Sequence, residues 1–269
     1  MKMKTKSTLI AAIILGVVTM SFKLKIDAMK NLPHPMDESK PTIVLVHGAF
    51  ADGSSWNKVI PILQKKGYQT IAVQNPLTSL GEDVAFTQRA IAEAPGKVIL
   101  VGHSYGGAVI TQAGNDAKVS ALVYVAAYAP DEGQSVQSVE KEAHEVKKIP
   151  NVPGLAEPII ADGFIRMKED AVIKYFAQDL PLQEAKLIAA GQGRFHFSAF
   201  AGTITNPAWK NKPSYYVVAE HDQTIAPDLE RETAKIIKAT TISVPGSHVV
   251  MLSHPDKVAQ LILKAAGEK

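Results

Sequence analysis

The chain has 269 residues, 46% of them hydrophobic, a formal charge of +3 and no cysteine. That length and apolar content suit one large α/β domain carrying an insertion, and the missing cysteines exclude disulfides, a lipobox and thiolate metal sites. The positive charge is local: residues 1–28 carry five lysines against Asp27, which leaves the rest of the chain at −1 and gives a nucleic-acid partner no electrostatic basis.

Residues 1–28 have the pattern of an export signal. Lys2, Lys4 and Lys6 form a positive start, and Leu9 to Met20 is an uncharged, mostly apolar block of twelve residues, too short for a comfortable membrane span. Lys23 and Lys25 stand where small residues are expected before a cleavage point after Ala28. Retention as an N-terminal membrane anchor is therefore the alternative to cleavage. A buried amphipathic helix fits less well, because the lysines flank the apolar block instead of striping one face. The expectation is an exported protein, periplasmic or secreted, with a single domain over residues 29–269.

Beyond about residue 40 the chain alternates strand and helix signals. Thr42 to Val46 reads as a strand, and Ser54 to Lys66 as a helix capped by Ser54 and stopped by Gly67. Gln69 to Val73 is a strand, and Glu82 to Glu93 a helix closed by Pro95-Gly96. The apolar run Lys97 to Val101 then leads into Gly102-His103-Ser104-Tyr105-Gly106, followed by a helical stretch, Gly107 to Ala113. A G-x-S-x-G between strand and helix is a nucleophile elbow. The serine sits on a sharp, strained turn that aims its hydroxyl into a cleft. Gly102 and Gly106 lack Cβ atoms, so neighbouring backbone can close on the turn.

Val119 to Ala126 is a further strand, after which residues 130–212 break the rhythm. Helix-like pieces at Val136 to Lys148, Lys168 to Ala177 and Leu182 to Ala190 are separated by prolines and Gly163. This reads as a small helical cap inserted over the sheet edge. The alternation resumes with strand Ser214 to Ala219, helix Asp228 to Lys238, strand Thr241 to Val244 and helix Pro255 to Ala266. Strands alternating with helices of this length imply a mostly parallel sheet with helices on both faces.

A serine hydroxyl needs a base, and the base needs an orienting acid. His248 follows the last strand through the turn Pro245-Gly246-Ser247, at the same sheet edge as Ser104. His254 fits the entry to the final helix, and the side chain of His103, inside the elbow, is expected to point away from the nucleophile. For the acid, Asp222 ends the strand around Tyr215–Glu220; its rivals are Asp131, Glu132 and Asp228. The order Ser, Asp, His favours Asp222. The oxyanion hole needs two backbone N–H donors. Tyr105 supplies one at the helix start, and Ala49, in the loop His47-Gly48-Ala49-Phe50, supplies the other, with Phe50 as the fallback. His47 reads as a structural residue that holds this loop.

Together the strand-HG loop, the elbow, the late acid strand with Ile225-Ala226-Pro227, and Gly246-Ser247-His248 resemble the serine hydrolases of the α/β-hydrolase superfamily across residues 41–269. The opening from His47 to Trp56 and the compact cap are similar to the small esterase and hydroxynitrile-lyase branch. The resemblance implies acyl transfer to and from Ser104, with no cofactor and no metal; an HExxH or clustered ligand spacing does not occur in the sequence. Lyases of that branch carry threonine where Gly48 stands and lysine where Val249 stands. Both differences favour a carboxylic ester hydrolase acting on a small-molecule ester. A lactone or carbon–carbon hydrolase with the same triad, or a binding protein on the same fold, are the alternatives. Phe164, Met167, Phe176, Leu187, Phe195, Phe197 and Phe200 are apolar pocket candidates in the cap, each more at home in a core or in lid packing than in a pocket wall. Trp56 and Trp209 receive no role.

Overall fold

A computed structural model describes residues 39–268; the export-signal reading of residues 1–28 lies outside the described residues. The strands whose sequences read as unbroken apolar runs form the centre. β1 (Thr42–Val46) is buried throughout. A loop, a short 3-10 turn and helix α1 (Ile60–Lys65) lead to β2 (Thr70–Ala72). Helix α2 (Leu80–Glu93), capped by Ser79, precedes β3 (Val98–Ser104); α3 (Gly106–Ala113) and β4 (Val119–Ala127) complete the first half. After the cap come β8 (Ser214–Ala219), α7 (Pro227–Ile236), β9 (Thr240–Val244), the short α8 (Val250–Ser253) and α9 (Pro255–Ala265). The sheet order is β2-β1-β3-β4-β8-β9, and every pairing is parallel.

Helices from both halves pack on this sheet, α3 on β3 and β4, α9 on β4 and β8. Continuous apolar strands are what a sheet sealed from water requires. Val98, Ile99, Leu100 and Val101 of β3 are at most 1% exposed. Each such side chain contributes about 1.5–3 kcal/mol through burial. The order reverses between β1 and β3. Their two connections therefore diverge at the carboxyl edge and open a crevice there. The loop after β1 and the turn after β3 form that crevice.

The first helix differs from its expected form. Asp52, not Ser54, is the cap, accepting from Ser54 N at 2.7 Å, and it closes only a 3-10 turn, Gly53–Trp56. The α-helix starts again at Ile60, with Pro61 in its first turn. Proline has no N–H to give and is tolerated only there. Trp56 ends buried in the core.

The insertion is helical as expected, with α4 (Val136–Glu145), a turn at Glu169–Ala171 running into π-helical Val172–Phe176, α5 (Leu182–Ala190) and α6 (Phe197–Ala201). It also holds a small antiparallel sheet absent from the sequence reading. This sheet pairs β5 (Ile159–Ala161), β6 (Phe164–Arg166) and β7 (Phe195–His196) in that order.

Close packing fixes the turn after β3. A Cβ on Gly102 would fall 2.5 Å from Gly106 O, and one on Gly106 would fall 2.7 Å from His47 O. Helix α2 braces the same turn from the side. Tyr105 donates its hydroxyl to Asp83 Oδ2 at 2.7 Å, and Leu77 N–H donates to Asp83 Oδ1 at 2.8 Å. Burial pushes the Asp83 carboxyl up from 3.8 to about 6, against the pull of these two donors.

Two outcomes follow from this packing. In Gly107→Ala the new Cβ would sit 2.2 Å from Tyr128 O, on backbone that cannot step aside. Overpacking of that kind should cost about 3 kcal/mol and lower the melting temperature by roughly 6–12 °C in a thermal scan. Tyr105→Phe should cost about 1–3 kcal/mol at pH 7.5, measured by denaturant unfolding. The lost hydroxyl stabilises the ionised form of Asp83, which the folded chain populates only above about pH 6. The deficit should therefore widen as pH rises through 6 and shrink at pH 5.

Candidate active site

Ser104 closes β3 in left-handed backbone, φ +53°, a region that a non-glycine residue enters at a cost. The surrounding pairing holds it there: Tyr128 N–H, just past the end of β4, donates to Ser104 O at 3.2 Å. Tyr105 follows, and α3 begins at Gly106, so the positive end of the helix dipole lies beside the serine. The loop after β1 closes in from the other side. A Cβ on Gly48 would sit 2.7 Å from Ser104 Cβ, so only glycine permits this approach. His47 anchors that loop, with Nδ1–H donating to Gly48 O at 2.8 Å and Nε2 accepting from Asn75 N at 3.0 Å. Both bonds suit a neutral ring, and burial lowers its pKa accordingly.

Ser104, Ala49, Phe50, Tyr105 and His248 line one cavity of about 220 Å³. Phe176, Phe195, Phe197 and Phe200 from the cap give it apolar walls. The other cap candidates lie elsewhere. Met167 is buried in the core, Phe164 borders a separate groove, and Leu187 is exposed beside a second cavity of about 190 Å³. Phe50 and Phe176 stand in the wall between the two cavities and line both.

His248 and Asp222 form a pair with no exposed side-chain surface. His248 Nδ1–H donates to Asp222 Oδ2 at 2.5 Å. Asp222 Oδ1 accepts Thr224 N–H at 2.6 Å and Ile225 N–H at 3.0 Å. Three donors thus support a buried carboxylate, the condition for keeping it charged. With Nδ1 committed to the acid, Nε2 carries the lone pair, and it is buried without a hydrogen-bond partner.

The histidine loop is held from three directions. His103 Nε2–H donates to His248 O at 2.9 Å, and the two rings lie 4.7 Å apart. Burial, and then the neighbouring His248, hold the His103 ring well below the ordinary pKa, so it stays neutral. Phe176 packs its ring 4.9 Å from that of His248. From the cap, Asp179 accepts Ser247 N–H at 2.7 Å. The acid loop is tied to the cap as well, through Gly154 N–H to Gln223 O at 2.7 Å and Gln178 Nε2 to His221 O at 2.7 Å.

The rival residues are engaged away from the cavity. Asp131 and Glu132 pair with Lys210, Asp228 sits in the first turn of α7 against Arg231, and His254 opens α9. Trp209 donates to Pro130 O at 3.2 Å. Among the described residues no group of three or more His, Asp or Glu side chains is placed to hold a metal ion.

Sequence reading missed the contact of His103 with His248, the Asp179 brace and the burial of Glu230. Glu230 left a signal. It occupies the apolar stripe of α7 with Leu229, Thr233 and Ala234, where a charged residue is out of place.

The chain matches the alpha/beta hydrolase family model over residues 43–261. It is 26% identical over 252 residues to the alpha/beta hydrolase nvfD of Aspergillus novofumigatus, covering 85% of this chain and 98% of that one. It is 29% identical over 250 residues to the carbendazim hydrolyzing esterase of Nocardioides sp., covering 81% and 96%. Among solved structures it resembles polyneuridine aldehyde esterase with a TM-score of 0.73 at 19% identity, over 84% of this chain and 98% of that one. A parallel sheet in this order, a strained serine where the order reverses, and a family match spanning nearly every described element lead to one conclusion: the chain belongs to the alpha/beta hydrolase family.

Proposed function

We propose that the protein is a serine esterase that cleaves small-to-medium apolar carboxylic esters through an acyl-enzyme. The observation that carries this reading is the buried Asp222–His248 pair, whose Nε2 has no other partner, on a histidine that lines the same cavity as Ser104. In this scheme His248 Nε2 takes the Ser104 proton as Oγ attacks the ester carbonyl. The tetrahedral oxyanion is met by the N–H groups of Ala49 and Tyr105, beside the start of α3. His248 then returns the proton to the departing alkoxide, which leaves as the alcohol. Water, deprotonated by the same Nε2, attacks the acyl-enzyme and releases the acid. Asp222 keeps the ring in the Nδ1–H form and stabilises the imidazolium in each half.

Ester hydrolysis is further supported by position 48. A threonine there would have to fit its Cβ within 2.7 Å of Ser104 Cβ. The aromatic walls and a volume of about 220 Å³ favour modest apolar substrates over long chains or charged ones. The esterase named among the relatives points to the same class of bond. Export remains part of the proposal, resting on the pattern of residues 1–28.

The test is hydrolysis of p-nitrophenyl esters from acetate to octanoate by the wild type, Ser104→Ala and Asp222→Asn. The wild type should turn over and favour the shorter acyl chains. Ser104→Ala should lower kcat by about 10⁴-fold or more, and Asp222→Asn by about 10³–10⁴-fold. A folded wild type that hydrolyses none of them would shift the reading to a lactone or carbon–carbon hydrolase, or to a binding role.

A further inference from the structure

Glu230 is a carboxyl with no exposed surface that the reaction scheme does not use. It stands on the first turns of α7 and reaches back to the strand end that carries Asp222. Its Oε2 accepts the N–H of Ala219, the last residue of β8, at 2.9 Å. Its Oε1 is buried and receives no donor. The groups that face it are Asp222 from the loop after β8, Tyr216 from β8, and Arg231 beside it on α7. Arg231 is spent on Glu220 and Asp228 at the surface.

Two carboxyls buried side by side and acting on each other do not both ionise. Asp222 has three donors to support its charge, two backbone N–H groups and His248 Nδ1–H. Glu230 has one. The proton of the pair therefore resides on Glu230. Since Oε2 is already an acceptor, the proton belongs on Oε1, the oxygen that lacks a donor. A carboxylate offers about four lone-pair sites, and Asp222 has one left.

We propose that Glu230 is a positioning residue: as a neutral acid it donates its Oε1 hydroxyl to Asp222 and so fixes the carboxylate that orients His248. The inference rests on the triad reading for its catalytic consequence, but the hydrogen bond itself does not. Burial, and then the Asp222 charge, hold the Glu230 carboxyl well above the usual range. Above about pH 4.5 the unfolded chain releases this proton while the folded chain retains it, so folding loses stability as pH rises from there.

The experiment compares full-length wild type, Glu230→Gln and Glu230→Leu. Glutamine keeps the acceptor for Ala219 N–H and offers an N–H to Asp222, yet cannot ionise. Glu230→Gln should melt higher than the wild type at pH 8, by at least roughly 3 °C, with the gap closing near pH 4. On the p-nitrophenyl ester that the wild type turns over best, its kcat at pH 7 should stay within about threefold of wild type. Glu230→Leu should lose about tenfold or more in kcat with KM nearly unchanged, since it frees Asp222 and strands the Ala219 N–H. Should the leucine variant not fold, the glutamine variant decides alone. A melting gap that does not change with pH, or a kcat as low in Glu230→Gln as in Glu230→Leu, overturns the proposal. Failure of the esterase reading shows separately, as turnover that survives Ser104→Ala, and leaves the melting comparison intact.

Discussion

A carboxylate sealed from water governs the carboxyl edge of this sheet. Asp222 has no exposed side-chain surface, and an unsupported charge in such a place costs several kcal/mol. Its own loop supplies two N–H donors and the histidine a third. The same constraint reaches outward: burial, and then the Asp222 charge, hold Glu230 beside it well above the usual carboxylate range, and the hydrogen bond to Asp222 fixes which nitrogen of His248 bears hydrogen. The orientation of His248 is thus downstream of how one negative charge is satisfied.

The cap is a structural partner in this arrangement as well as a roof. Gly154, Gln178 and Asp179 each bond the backbone of the acid or histidine loop. The loops of β8 and β9 are consequently clamped between sheet and cap. The elbow needs no such help. It is set by the sheet at the point where strand order reverses, with Asp83 of α2 accepting from the Tyr105 hydroxyl and the Phe195 ring of the cap packing on Tyr105 at 4.7 Å. The acid and histidine loops bond the cap through backbone hydrogen bonds, whereas the elbow meets it only through ring packing.

That division also decides what the sequence reveals. Parallel strands are apolar along their whole length, so β1, β3, β4 and β8 stand out, and Ser214–Ala219 emerges with its observed bounds. Ser104 closes such a strand and Asp222 follows one, while His248 follows the more polar edge strand β9, so their common sheet edge is legible from the order of strands. The cap sheet is not legible: β5 and β6 have three residues each, too few to show a period, and Ile159 and Ile160 are exposed. The start of α1 is misread because Pro61 and Asp52 divide between them the signals of one helix start. Contacts such as His103 with His248 join residues 145 positions apart, and local pattern carries no trace of them.

The wall shared by the two cavities has a consequence for how such a pocket changes over time. Phe50 comes from the core loop, in left-handed backbone at φ +61°, and Phe176 comes from the π-helical turn of the cap. Neither carries a proton or a charge in the proposed scheme, yet between them they set where the space around Ser104 ends. In the proposed scheme, bond breaking and pocket length therefore rest on different side chains, with Phe176 alone touching both. Under the proposed reading, altering the Phe50 side chain would lengthen or shorten the molecules accepted with the serine, the histidine and the carboxylate left as they are, whereas altering Phe176 would also remove a support of His248.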